Sequence, residues 1–437
     1  MRRIAYITVT FATLASMIGA CGKPHTNGAS VLSAATFYKD IKPLIEQKCQ
    51  VCHVEGGIGP FALKTLDDVK THSAAIKAAV GARTMPPWLA KPGCANYAGD
   101  RSLSDSQIAA ISDWVDGGSE AGAEGDYVAP EAAKPTGLSR VDATIKIPAP
   151  YTPSRDKGPD DYRCFIIDWT ATEAKFVSGF RANPGNAALV HHVIAYVASS
   201  AESIKSFQDL DAAEPGLGYT CFGGPGAGLS ARWLAAWAPG GQGSDFPART
   251  GIKIPVGSKI ILQVHYNLSH VAADASDQTS LDFKLDDSVD KEAMLLPWTN
   301  PDWVRGKTMT IPANTADVKH SWAFDPTPFM GIITGEIVKA SFPFSIWSAG
   351  LHMHTHGTSA RLVIQRGTTA KEECMVDIPN WDFHWQGGYG FVEPKIFLPG
   401  DKLYLECHFN NSGSDKVRNW GEGTDDEMCL GSLYLTR

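Results

Sequence analysis

Cys49-Gln50-Val51-Cys52-His53 constrains the chain more than any other feature. Two thiols three positions apart, with a histidine directly after them, match the attachment of a covalent haem c. The thiols add to the two vinyl groups and the neighbouring imidazole ligates iron from one face. A zinc half-site or a thiol–disulfide redox pair also uses Cys-x-x-Cys. Neither explains His53, and there is no second Cys-x-x-Cys to complete a zinc site.

Helical spacing of Phe37, Ile41, Leu44 and Ile45 runs straight into this motif. A second helical pattern, Ile108, Ile111, Trp114 and Val115, follows Ser104-Asp105, a cap. Residues 31–120 therefore read as a small all-α domain. Within it, Thr84-Met85-Pro86-Pro87-Trp88 resembles the methionine–proline loop of small cytochromes c, which implies Met85 as the sixth iron ligand. The residues alone leave open a buried core methionine, with His72 as a rival ligand.

Arg2 and Arg3 precede an apolar run from Ile4 to Ala20, and Ile18-Gly19-Ala20-Cys21 resembles the bacterial lipobox. The run is short for a membrane span and has the basic flank of a signal peptide. The expectation is a leader at 1–20, acylation of Cys21, and a lipid-anchored protein of the bacterial cell envelope, on the periplasmic side or at the outer membrane. An ordinary secretory leader with Cys21 incidental is the alternative. Either compartment permits disulfides. Residues 22–30 read as a tether. Residues 117–140, rich in Gly, Ala, Glu and Pro, read as a linker, with 121–140 outside its flanking domains.

At 437 residues the chain exceeds one ordinary core, so several domains are expected. Its net charge of −8 offers no basic stripe, which argues against a nucleic-acid partner. Beyond residue 140 the hydrophobic period changes to two. Ile260, Leu262, Val264, Tyr266 and Leu268 share one face of a strand, so His265 points the other way. Leu403, Leu405, Cys407 and Phe409 share a face of another. Turn-separated runs of this kind predict antiparallel β-sandwiches.

Histidines mark these strands. His352 and His354 are two apart and project to one side, so they can chelate one ion, whereas His356 would sit farther along. A solvated histidine stripe is the other reading. His191 and His192 are adjacent, so on a regular strand they face opposite ways, and joint ligation needs a bulge. One buried and one exposed histidine fits the residues as well.

Leu189-Val-His191-His192-Val, Leu262-Gln-Val-His265-Tyr, Leu351-His352-Met-His354 and Asp426-Glu-Met428-Cys429 occur in the order found in copper type II, ascorbate-dependent monooxygenases. That family includes peptidylglycine α-hydroxylating and dopamine β-monooxygenases, and the resemblance covers about 160–437. It implies two copper ions. One, for electron transfer, would be held by His191, His192 and His265. The other, for oxygen, would be held by His352, His354 and Met428. Imidazole suits both copper oxidation states and a thioether favours Cu(I). Two such ions store the two electrons needed to hydroxylate a C–H bond and reduce the second oxygen atom to water. The same resemblance implies the disulfides Cys164–Cys221 and Cys407–Cys429. Of nine cysteines, Cys94 and Cys374 remain, and sequence does not say whether they meet.

The resemblance has gaps. Gly350 stands where peptide-amidating members carry arginine, and Leu430 and Ser432 stand where they carry asparagine and tyrosine. The grip on a peptide carboxylate is missing. Trp298, Trp303, Trp381, Trp385 and Tyr389 either line a different pocket or serve as core. The expectation is a cytochrome c domain (31–120), then two jelly-roll-like all-β sandwiches (141–290 and 291–437), with the two coppers facing each other across a cleft. The function expected is hydroxylation of a small organic substrate by O2, with electrons from the haem domain, a redox partner or a reductant such as ascorbate. A non-catalytic copper or electron-transfer lipoprotein would use the same ligands.

Overall fold

The computed structural model describes residues 35–437 apart from 56–58, 131–136, 157, 222–223, 227–230, 239–240, 270, 307, 370, 422 and 424. The leader, Cys21 and the 22–30 tether lie outside the described residues. Among the described residues, no helix is long and apolar enough to cross a membrane.

The N-terminal unit is helical. A wide turn at Phe37–Ile41 runs into Lys42–Lys48, followed by Leu66–Thr71, Ser73–Gly81 and Asp105–Asp116. Two capping boxes start helices here, Thr65 with Asp68 and Ser104 with Gln107. Phe37, Ile41, Ile45, Ile111 and Trp114 form its core, with Leu44, Ile108 and Val115 packed against them. Part of the 121–140 linker belongs to this unit. Tyr38 N–H donates to Ala121 O and Tyr127 Oη donates to Glu46 Oε2 at 2.5 Å.

The 31–120 region is not a closed domain. Residues 88–98 leave the helices and dock on the C-terminal half. Cys94 and Cys374 are disulfide-bonded, and Tyr97 pairs with Phe391 as an antiparallel rung on the outer edge of strand Gly388–Phe397. Trp88 packs edge-on against Tyr389, with ring centroids 5.1 Å apart. The Pro-rich composition that suggested an iron-ligand loop also carries an aromatic arm, whose partners sit some 280 residues away in sequence.

The rest is mostly antiparallel sheet, in line with two β-sandwiches lying side by side. In the first, Lys259–Asn267 is the centre of a five-stranded sheet, between Asp160–Asp168 and Val190–Ala198. Ile260, Leu262, Val264 and Tyr266 enter the main core. The opposite face is covered too. Ile261 joins a small core around Cys164–Cys221 and Phe207 of helix Ala201–Ala213. In the second sandwich, Leu403, Leu405, Cys407 and Phe409 are fully buried, as their alternation predicts.

A nine-stranded sheet backs both sandwiches. Its halves join through a short parallel contact, Lys291 with Thr250 and Glu292 with Gly251, whereas its other strand pairs are antiparallel. Thr250 Oγ1 and Tyr434 Oη hydrogen-bond across this seam at 2.8 Å. The seam fixes one sandwich against the other, which is what brings the two histidine sets together.

Candidate metal centre

The backbone at His191 is irregular. Val190 pairs with Tyr266 and His192 with His265, so one extra residue is inserted at His191. This bulge turns both imidazoles to one side. His192 Nδ1 lies 3.3 Å from His191 Nδ1 and 3.3 Å from His265 Nδ1, and the potential ligand atoms of the three lie within 4.8 Å of one another. His265 Nε2 contacts Asp160 Oδ1 at 2.9 Å. With Nε2–H donated to that carboxylate, His265 Nδ1 carries a free lone pair. Three ring nitrogens so close, at least one with its lone pair free, fit a shared cation. Tyr162, directly opposite His265 on the neighbouring strand, stacks on its ring at 4.0 Å and 10°.

The second set comes from the end of strand Phe344–His352. His352 and His354 have ring centroids 5.1 Å apart. Gln386 Nε2 donates to Phe383 O at 3.0 Å, which orients the amide so that Oε1 accepts from His352 Nδ1 at 2.5 Å. His354 Nδ1 donates to Asp426 O at 3.0 Å. Both rings thus commit Nδ1–H and leave Nε2 as donor, opposite to the first set.

The strand pairing ends with His352 opposite Leu430, two residues after Met428 in the chain. Met428 is buried, and Cys407–Cys429 pins the next residue. The side chain of Glu427, fully buried, accepts the backbone N–H of His354 at 2.9 Å and of His356 at 2.5 Å. Met428 is nevertheless not among the residues lining the histidine cavity, and neither is His356.

Burial is the main cause of the electrostatics. It lowers the imidazoles' affinity for protons, to about 3 at His191 and His354, well below the usual range at His192, and downward at His265 and His352. All five are neutral near pH 7, the state a metal ligand requires.

The expected cleft between the two sets is narrow. His191, His192, His265, His352, His354, Tyr162 and Phe383 line one cavity of about 10 Å³, and the ring centroids of His192 and His352 are 6.4 Å apart. The loop responsible, residues 381–386, was legible in sequence only as aromatic-rich. Phe383 stacks on His191 at 4.7 Å and Trp381 Nε1 donates to His354 O at 3.2 Å. Asp160, Glu427, Phe383 and Gln386 escaped sequence reasoning. Only Glu427, inside the Asp-Glu-Met-Cys run, had a local signal.

In the helical unit, Cys52 N–H and His53 N–H both donate to Cys49 O, so one turn carries all three. His53 Nδ1 contacts Phe61 O at 3.0 Å, leaving Nε2 as its free donor. Cys49 and Cys52 are not disulfide-bonded. Met85 is half-buried in the turn after Ser73–Gly81, its N–H on Ala79 O. Gln242 of the first sandwich reaches Cys52 Sγ at 3.5 Å.

The two histidine sets adjoin at the seam between the sandwiches, and His191, His192 and His265 are grouped closely enough to hold a metal ion. Residues 329–435 match the C-terminal domain of the copper type II ascorbate-dependent monooxygenases. The chain is 26% identical over 249 residues to DBH-like monooxygenase protein 2 of Mus musculus, covering 56% of this chain and 38% of that protein. It is 29% identical over 267 residues to DBH-like monooxygenase protein 1 of the same species, covering 57% and 39%. To the tyramine beta-hydroxylase of Caenorhabditis briggsae it is 22% identical over 267 residues, covering 57% and 40%. The chain therefore spans about two fifths of the length of these relatives.

Proposed function

We propose that this chain is a copper-dependent monooxygenase that hydroxylates a C–H bond of a small organic substrate with O2. Electrons enter through a covalent haem in the helical unit, from a reductant such as ascorbate, or from both. The observation that carries the reading is the convergence of three Nδ1 atoms beside a second, Nε2-presenting pair, in a chain whose C-terminal part matches this family.

His191, His192 and His265 would hold one copper, and His352, His354 and Met428 the other. Copper, when bound, supplies one-electron storage and a site for O2. The chain's own residues prepare that chemistry. Asp160 keeps His265 in the tautomer that frees Nδ1. Gln386 and Asp426 O do the converse for His352 and His354. Tyr162 and Phe383 wall the space between the sets and leave room there for about one water.

The helical unit fits a haem c. Burial raises the Cys49 thiol to about 12 and Cys52 in the same direction, so both are held as neutral thiols in the unligated unit. The Phe61 carbonyl orients His53 as an iron ligand would need, and Met85 is the candidate opposite it. The Cys52–Gln242 contact favours electron entry into the first histidine set. The lipobox-like run ending at Cys21 supports a lipid anchor in the bacterial envelope.

The small cavity favours one rival, a copper-holding electron-transfer lipoprotein without a substrate. Metal analysis of the full chain, with visible spectroscopy and oxygen-electrode measurements, separates the readings. Two coppers, a low-spin haem and substrate-stimulated O2 uptake are expected. Copper loading without any substrate-stimulated uptake would leave the rival standing.

A further inference from the structure

At the end of the second sandwich away from the histidines, large apolar side chains face water. Strand Phe344–His352 finishes on one histidine set, and its nine residues put its start about 25–30 Å away. There Thr327–Phe329 runs into the short helix Met330–Thr334. Met330, Gly331 and Thr334 are buried, whereas Phe329 and Ile332, three apart and so on one face, are 50% and 86% exposed. Phe342 is 57% exposed, and Leu398 is exposed as well. Ser341 N–H donates to Thr327 O at 2.7 Å, which sets Phe342 beside the helix start. Gly400 N–H donates to Asp325 Oδ2 at 2.9 Å, which brings in the turn after Leu398.

The group sits on a fixed surface. Thr334 Oγ1 donates to Met330 O at 2.6 Å and accepts from Val338 N–H at 2.9 Å, and all three residues are fully buried. Phe324 and Phe329 stack with ring centroids 5.8 Å apart. Folding gains nothing from leaving an isoleucine almost wholly in water. Single exposed apolar residues are ordinary, but several gathered at one tip mark a contact surface.

Two observations choose the partner. The N-terminal unit is attached to this same sandwich, since Val392 N–H donates to Asn96 O at 3.0 Å. From that attachment, strand Gly388–Phe397 carries exposed Val392 and Ile396 toward Leu398, so the apolar surface continues from the unit to the tip. In addition, only residues 22–34 lie between Cys21 and Ala35, a reach of at most about 45 Å. A lipid on Cys21 keeps the body within that distance of a bilayer, where a second, weak apolar contact acts at high effective concentration.

We propose that Phe329, Ile332, Phe342 and Leu398 form a tip that inserts shallowly into a phospholipid bilayer, with the histidine sets at the end away from the lipid. This goes beyond the monooxygenase reading and rests on the lipid-anchor reading.

The test uses the chain from Gly22 onward, which keeps every described residue and lacks Cys21. It is co-sedimented with phosphatidylcholine vesicles at about 0.1 and 0.5 M salt. Binding that persists at the higher salt is expected, because apolar burial rather than charge carries it. Phe329→Ser, Ile332→Ser and Phe342→Ser together should weaken partitioning roughly tenfold or more. Ile332→Asp alone, at the most exposed position, should weaken it by about threefold or more without changing the thermal midpoint, which guards against misfolding. Binding abolished by salt, or variants that partition within about twofold of the parent, overturns the tip. Absence of vesicle binding beside a dimer that the triple variant splits also overturns it and assigns the face to a second copy. Mass spectrometry of the full-length protein from bacterial cells tests the anchor separately. An unmodified Cys21 in a protein whose chain from Gly22 still binds vesicles removes the anchor and leaves the tip.

Discussion

Asp160→Asn isolates the part of the site that owes least to the metal ligands themselves. Asp160 Oδ1 stands 2.9 Å from His265 Nε2, with the imidazole 2% and the carboxylate 15% exposed. In that setting a charge-assisted hydrogen bond is about twice as strong as a neutral one. It fixes the proton on Nε2 and leaves Nδ1 bare, 3.3 Å from His192 Nδ1. Asparagine keeps the shape but loses the charge. Its amide can also turn and donate, which admits the tautomer with Nδ1–H aimed at the shared nitrogen cluster. Loss of such a supporting carboxylate weakens a metal by about 10- to 100-fold, or about 1.4–2.7 kcal/mol. Competition with a colorimetric Cu(I) chelator reads this directly, and the second histidine set serves as an internal reference. If Asp160→Asn and Asp160→Ala both bind copper within about twofold of the parent, the tautomer argument is wrong.

Two further outcomes follow from burial and covalent structure. In the metal-free protein, His191 and His354 take up protons in the native state only near pH 3, but near 6.5 once unfolded. The unfolded state therefore binds more protons throughout that window, and stability must fall as pH falls through it, with little change above about 7.5. From pH 7 to 5.5 the two groups cost about 2.5 kcal/mol together, read as a lower urea midpoint, and an unchanged midpoint contradicts it. Replacing Cys94 and Cys374 by serine removes the covalent hold on the 88–98 arm. A loss of about 2–5 kcal/mol is expected, visible in calorimetry as the helical unit melting apart from the sandwiches; a single unchanged transition speaks against the arm.

The strands were the most legible part of the fold, because alternation is written locally. Leu403, Leu405, Cys407 and Phe409 announce a buried face from their spacing, and their burial is complete. Ser104 likewise announces a helix start through its own capping box. The bulge at His191 was legible as a requirement, since adjacent strand residues cannot otherwise point one way. What sequence hid is set by distant partners. Asp160 precedes His265 by 105 positions, and only strand pairing makes them neighbours. Phe383 and Gln386 sit in a loop without periodicity, so nothing local says that it folds over both histidine sets. The narrowness of the cleft depends on that loop and on the seam at Lys291, neither of which leaves a pattern in one strand.

The attachment of the helical unit follows the same logic and bears on electron supply. An N-terminal domain on a Gly/Ala/Pro-rich connection would ordinarily be tethered and mobile. Here Trp88 and Tyr97 pack among buried residues of the second sandwich, Ala98 N–H donates to Gly390 O at 2.8 Å, and the Cys94–Cys374 bond closes the attachment. At the same time Cys52 faces Gln242 of the first sandwich. The unit is thus clamped to one sandwich while its thiol motif is presented to the other. A carrier that must dock anew for each electron gains from a loose tether; a carrier already in place gains from a rigid one, because its distance to the acceptor no longer depends on encounter. Three separate attachments belong to the second design, so on the proposed haem reading the arm would hold the carrier at a fixed distance from its acceptor.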